Sequence, residues 1–136
     1  MAVILGSLDL VRGFMHTVIL PYSATRIACL DLSGPTASDL LRLLGLFGIS
    51  NFITGATLIL TGIYARPVAL ALLGLIPLCY GFGLITIHQA MDPYPPSTAQ
   101  WGGRPWMMVI LSIYLLTFFA AAALMLRNKR ETKKSL

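Results

Sequence analysis

Three ionisable residues near the start of the chain, Asp9, Arg12 and His16, interrupt an apolar run at spacings of i, i+3 and i+7. At about 100° per residue they fall within roughly 60° on one helix face, which Leu20 and Ser23 continue. Ionisable groups in a membrane-length helix are rare and costly, and they face protein or a cavity rather than lipid. In that setting His16 suits an acid or base, Arg12 an anchor for an anionic or carbonyl oxygen, and Asp9 the group that holds the arginine. The alternative is a structural ion pair, with Asp9 and Arg12 reaching back to the membrane surface and only His16 at depth.

Further polar candidates are spread over the later apolar runs. Asn51 lies in the middle of one, and Tyr80 offers a hydroxyl close to Pro77 in the next. Asp39 and Arg42 share an i, i+3 spacing at one end of the second run, and His88 lies at the end of the third. All five are candidate ligand-binding residues around a cavity, although Asn51 also reads as hydrogen-bonding glue and Asp39 with Arg42 as an interfacial salt bridge. No nucleotide loop, HExxH, GxSxG or carboxylate-rich metal pattern occurs, so neither a cofactor nor a metal is expected. Cys29 and Cys79 stand in different runs without ligand spacing and read as free thiols.

The elements that must position these residues follow from hydropathy. Of the 136 residues 57% are hydrophobic and only 11% charged, outside the usual soluble range. Four apolar runs are expected to be membrane spans, over residues 3–27, 40–63, 68–89 and 106–126, which leaves room for a single domain. The expected fold is all-α, an integral membrane four-helix bundle in up-down-up-down order.

The second run carries Gly48, Gly55 and Gly62 at every seventh position, a stripe that drifts only about 20° per step and includes Asn51. Small residues on one face let a neighbour approach closely, leaving Leu43, Leu46, Phe47, Leu58 and Leu60 for lipid or flanking helices. Gly74, Pro77, Gly81 and His88 form a similar face on the third run. The short connection at 64–67 therefore predicts that these two glycine faces pack together. Pro21 is expected to kink the first span, and Ser38 or Asp39 to cap the second. The fourth run, with only Ser112, Tyr114 and Thr117 as polar relief, reads as the lipid-facing closure. Residues 91–105, with Tyr94 and Trp101, suit an interfacial loop.

The net charge of +5 is concentrated in a tail, 127–136, bearing Arg127, Lys129, Arg130, Lys133 and Lys134. The positive-inside rule puts that tail, the N-terminus and Arg66 on the cytoplasmic side, and the loops at Asp31 and Asp92 outside. The charge thus points to anionic lipid headgroups and not to nucleic acid. The N-terminal segment lacks the basic region and cleavage site of a removable signal.

The segment GISNFITGATLILTGIYARPVALALLGL, following Arg12, Gly13 and His16 in the first span, resembles the DoxX-like group of small four-helix membrane proteins. The resemblance covers mainly the first three spans and rests on Gly48, Gly55, Gly62 and Arg66 with the arginine and glycine of the first. Many members of that group carry a glutamate in the second span where this chain has Asn51, so a proton-linked role there does not carry over. Similar proteins include quinone-linked oxidoreductase subunits and membrane chaperones, so the resemblance implies a fold more than a function.

Two functions fit. One is a pocket holding a lipophilic small molecule, such as an isoprenoid, polyketide or quinone, between the first three spans. A cofactor-free isomerase or cyclase would use His16 for proton transfer there, with Arg12 or Asn51 stabilising charge on oxygen. The other is a non-catalytic accessory or assembly subunit that docks a larger membrane partner, including a quinone-linked oxidoreductase, or a second copy of itself, through small residues of the third and fourth spans. A transporter fits less well, since the two halves show no inverted repeat.

Overall fold

The computed structural model describes residues 1–91 and 102–134, with the side chains of 128–130 and 132–134 outside the described set. The expected interfacial loop, including Tyr94 and Trp101, therefore lies outside the described residues, as do all the basic side chains of the tail beyond Arg127. Among the described residues all regular structure is helical, in the order α1 (Ala2–Met15), α2 (Leu20–Tyr22), a π-helical turn (Ser23–Ile27), α3 (Ala37–Tyr64), α4 (Arg66–Met91) and α5 (Gly103–Lys134). Three helices are long and apolar enough to cross a membrane: α3, α4 and the Gly103–Arg127 part of α5, with mean hydropathies of 1.8, 2.3 and 2.5. The 28 residues of α3 extend about 42 Å, beyond the roughly 30 Å of a hydrocarbon core.

The first apolar run is not one straight helix. α1 ends at Met15, and the segment Leu20–Ile27 leaves it at 96°. Pro21 is responsible at a distance: it has no N–H for the carbonyl of Thr17, and its ring crowds that carbonyl, so the helix gives way upstream of it. Thr17, Val18 and Ile19 are poor helix formers, and the Thr17 hydroxyl bonds back to the Gly13 carbonyl at 2.7 Å, a contact that bends helices. The chain resumes as α2 with Pro21 in its first turn. Beyond it the ladder widens, as Ala28 N–H donates to the Ser23 carbonyl and Leu30 N–H to that of Ala24.

The glycine stripe of α3 does face protein, but its partner is α1 and not α4. A Cβ built on Gly55 would stand 2.6 Å from the Gly6 carbonyl oxygen and 2.9 Å from Leu10 N. One on Gly48 would stand 2.8 Å from the Thr17 methyl and 2.9 Å from His16 backbone carbon, and Gly62 meets Ala2 and Val3. The two helices are therefore antiparallel and almost backbone to backbone, because α1 supplies glycines of its own at Gly6 and Gly13. With that face occupied, the expected α3–α4 glycine contact cannot form. Gly74 instead receives the Phe118 ring from α5, and Gly81 has no atom within 4 Å of its Cβ position. The α3–α4 connection is as short as expected, with only Ala65 between the helices and Pro67 in the first turn of α4.

All four long helices meet in one small core, to which α1, α3, α4 and α5 contribute Leu5, Leu58, Leu73 and Tyr114 respectively. Leu58 is thus enclosed by flanking helices, whereas Leu43, Leu46 and Leu60 lie on the outside with many other large apolar side chains. α3 begins at Ala37 without a side-chain cap, so Ser38 and Asp39 lie inside its first turn instead of closing it. Cys29 and Cys79 are free thiols.

Gly55→Ala is expected to lower the unfolding midpoint in detergent by an amount corresponding to about 1–3 kcal/mol, since its methyl meets backbone that cannot move aside. Gly81→Ala, into open space, is expected to be neutral or slightly stabilising. Equal midpoints for Gly55→Ala and the unmutated protein would overturn the α1–α3 contact.

Candidate functional site

The polar stripe of α1 sits beside its glycine face and enters the bundle between α3 and α5. Asp9 is only 3% exposed. A carboxylate at that depth is costly unless its oxygens are satisfied, and here both are. Oδ1 accepts from Arg12 Nη1 at 2.9 Å, and Oδ2 accepts a short hydrogen bond from the Tyr114 hydroxyl. The bland alternative of a pair reaching for the surface does not describe Asp9, which is held inside by α5. Arg12 is one-fifth exposed, and its guanidinium carbon lies 5.6 Å from the centre of the Phe47 ring.

His16 caps the C-terminal end of α1 at the bend, with its backbone N–H on the Arg12 carbonyl. Because the chain turns back there, the fully buried Ser23 meets the imidazole, and its hydroxyl lies 2.6 Å from Nδ1. Seven residues apart in sequence, the two touch through the bend. Nε2 makes no hydrogen bond with the described residues. The other side of the ring packs obliquely on Phe47, with centroids 5.7 Å apart. Phe47 therefore stands against both Arg12 and His16.

Two spaces open from this cluster, and Arg12 lines both. The inner one is a slit of about 10 Å³ among Asp9, Arg12, Asn51, Tyr80 and Tyr114, about the least volume that holds one water. Asn51 is 3% exposed, and its Nδ2 has no hydrogen-bond partner among the described residues. Asn51 is buried as expected, yet among the described residues its amide N–H groups bond no neighbouring helix. The outer space is a cavity of about 630 Å³ at the bend, lined by Arg12, His16, Arg26, Phe47, Trp106 and Ile110 among others. Its volume falls in the range of small-molecule sites, and its composition, apolar walls with a few polar groups, is theirs as well. The start of α5 borders it: Gly102 N–H donates to the Ala28 carbonyl at 3.0 Å, and a Cβ on Gly102 would stand 2.8 Å from Cys29 Sγ.

The structure thus brings Asp9, Arg12 and His16 to one site, with Asn51 and Tyr80 on its inner side. It does not bring Asp39, Arg42 or His88 there. All three are exposed, none lines either space, and Asp39 and Arg42 form no ion pair; the two pairs among described residues are Asp9–Arg12 and Arg127–Glu131. Tyr114 corrects the reading of the fourth run as a purely lipid-facing closure, since it is 2% exposed and bonded to Asp9. Its one available signal was a hydroxyl among apolar neighbours. Phe47, Arg26 and Trp106 gave no comparable signal. Among the described residues no cluster of three His, Cys, Asp or Glu side chains stands together as a metal site. In comparisons with known proteins the chain matches no family model, no curated protein and no solved structure.

Removing Arg12 alone should strand the Asp9 charge. Arg12→Gln is expected to cost about 3–5 kcal/mol of stability in detergent, and Tyr114→Phe about 1–3 kcal/mol. The double variant Asp9→Asn with Arg12→Gln is expected to recover most of the Arg12→Gln loss, because no buried charge remains. Additive losses in a thermal-unfolding cycle would show that the pair does not interact.

Proposed function

We propose that this chain is an integral membrane protein that holds a lipophilic small molecule in the cavity at the α1 bend. In this reading α1 with Leu20–Ile27 serves as the fourth, broken span, and α3, α4 and α5 complete a DoxX-like up-down-up-down bundle. The observation that carries it is the cavity itself, about 630 Å³, with Arg12 and His16 on one side and Phe47, Trp106 and Ile110 facing an apolar occupant. Broken helices at membrane depth are tolerated where they line a cavity, as this one does.

His16 is the acid or base of this proposal. Ser23 at Nδ1 orients the ring and leaves Nε2 for a proton on the occupant, while Arg12, fixed by Asp9, stabilises negative charge developing on an oxygen. The reaction class is isomerisation or cyclisation by proton transfer, with no cofactor required. The accessory-subunit reading has one observation in its favour, a groove of about 680 Å³ elsewhere on the bundle, lined by small residues such as Gly62, Ala69 and Ala121. Gly74, another small residue of the third span, is by contrast already covered by the Phe118 ring.

Mass spectrometry of organic extracts from the detergent-purified protein is expected to find a lipophilic molecule near one equivalent. Leu44→Trp, which fills the cavity from α3, should remove it without lowering yield. An empty protein that instead retains a second polypeptide would establish the accessory reading and overturn this one.

The proposed topology places the N-terminus and the basic tail in the cytoplasm, with the α3–α4 turn beside them and residues 28–36 outside. In a chain with Cys29 and Cys79 replaced by serine, Ser33→Cys is expected to react with an impermeant maleimide in intact cells, and Ala65→Cys only after lysis. The reverse pattern would invert the orientation.

A further inference from the structure

The charges around the cavity at the bend do not cancel, and their imbalance says what the occupant carries. Arg12 is neutralised by Asp9 at 2.9 Å. Arg26, on the π-helical turn, lines the same cavity and has no ion-pair or hydrogen-bond partner among the described residues. Among the described residues no aspartate or glutamate lines the space, which leaves one of their positive charges unmatched beside walls of Phe47, Leu44, Ile110 and Trp106.

An anionic group against that guanidinium gains a charge-assisted hydrogen bond that a neutral occupant does not. A dianion would exceed the charge available, since the Arg12 positive charge is already balanced. Arg26 is exposed, whereas Arg12, Phe47 and His16 lie deeper, so the charged end belongs at the mouth and the apolar body inside. The planar fork of a guanidinium matches a carboxylate or phosphate bidentately.

We propose that the cavity takes an amphiphile with a singly charged anionic head, carboxylate or phosphodiester, paired with Arg26 at the mouth, and with its apolar chain against Phe47 and Trp106. This rests on the reading of the cavity as a small-molecule site and narrows it: neutral quinones and neutral isoprenoids are not the preferred occupants. The head belongs either to a free single-chain amphiphile or to an anionic bilayer lipid.

Trp106 supplies the readout. In a Trp101→Phe background it is the sole tryptophan of the chain. In detergent, dibromostearate is expected to quench its fluorescence saturably and at least about tenfold more tightly than dibromostearyl alcohol, the gain of one charged hydrogen-bonded pair. Arg26→Gln should abolish that preference, and Arg26→Lys should retain part of it. Because Arg26 is exposed and has no partner among the described residues, neither substitution should change the unfolding midpoint. In phosphatidylcholine vesicles, saturable quenching by dibrominated phosphatidylglycerol identifies a bilayer lipid as the source, and quenching by dibromostearate alone identifies a free amphiphile. Equal quenching by acid and alcohol, unaffected by Arg26→Gln, would overturn the anionic head while leaving the small-molecule site standing. Saturable quenching by neither would overturn both.

Discussion

The close approach of α1 to α3 is the constraint on which the rest of the structure depends. Gly6 and Gly13 on one helix and Gly48 and Gly55 on the other bring the two backbones together with no room for a Cβ between them. Between helices apolar enough to cross a membrane, such close backbone contact is a main source of association. It also fixes the rotation of α1. With the glycine face on α3, the adjacent face bearing Asp9 and Arg12 must turn toward α5, and Tyr114 meets it there. The ion pair follows from the glycines and would be untenable without them.

The site divides into two compartments with different chemistry. In the inner slit every charge is answered within the protein, and the volume suits no more than a water-sized guest. At the bend the cavity is large, aromatic on one wall and lined by both Arg12 and Arg26. Arg12 belongs to both, and Phe47 supports Arg12 and His16 together. Anything that moves the guanidinium in the outer cavity therefore acts on Asp9 and Tyr114 behind it.

Much of this was legible in the chain. The i, i+3, i+7 spacing identified Asp9, Arg12 and His16, and the seven-residue glycine period identified the face of α3 that meets protein. Both readings depend on helical periodicity alone, a local property. What periodicity does not contain is the identity of the neighbour. The glycines of α3 were matched to those of α4 because the connection between them is short, but Gly6 and Gly13 offer a closer fit from farther along the chain. The bend was anticipated at Pro21 and occurs at 16–19, because a proline disturbs the carbonyl four residues before it. Tyr114 could not be assigned from its own helix, since its importance lies wholly in a hydrogen bond to a residue 105 positions away.

The order in which the chain is made adds a consequence. α1 precedes its partners in the chain, yet it is short, bent at its end and carries an aspartate and an arginine with His16 at its end, so it has little to hold it by itself. Its glycine partner and its Asp9 partner arrive only with α3 and α5. α1 therefore settles only when α3 and α5 are both in place, and a chain cut before Tyr114 leaves Asp9 without its α5 partner.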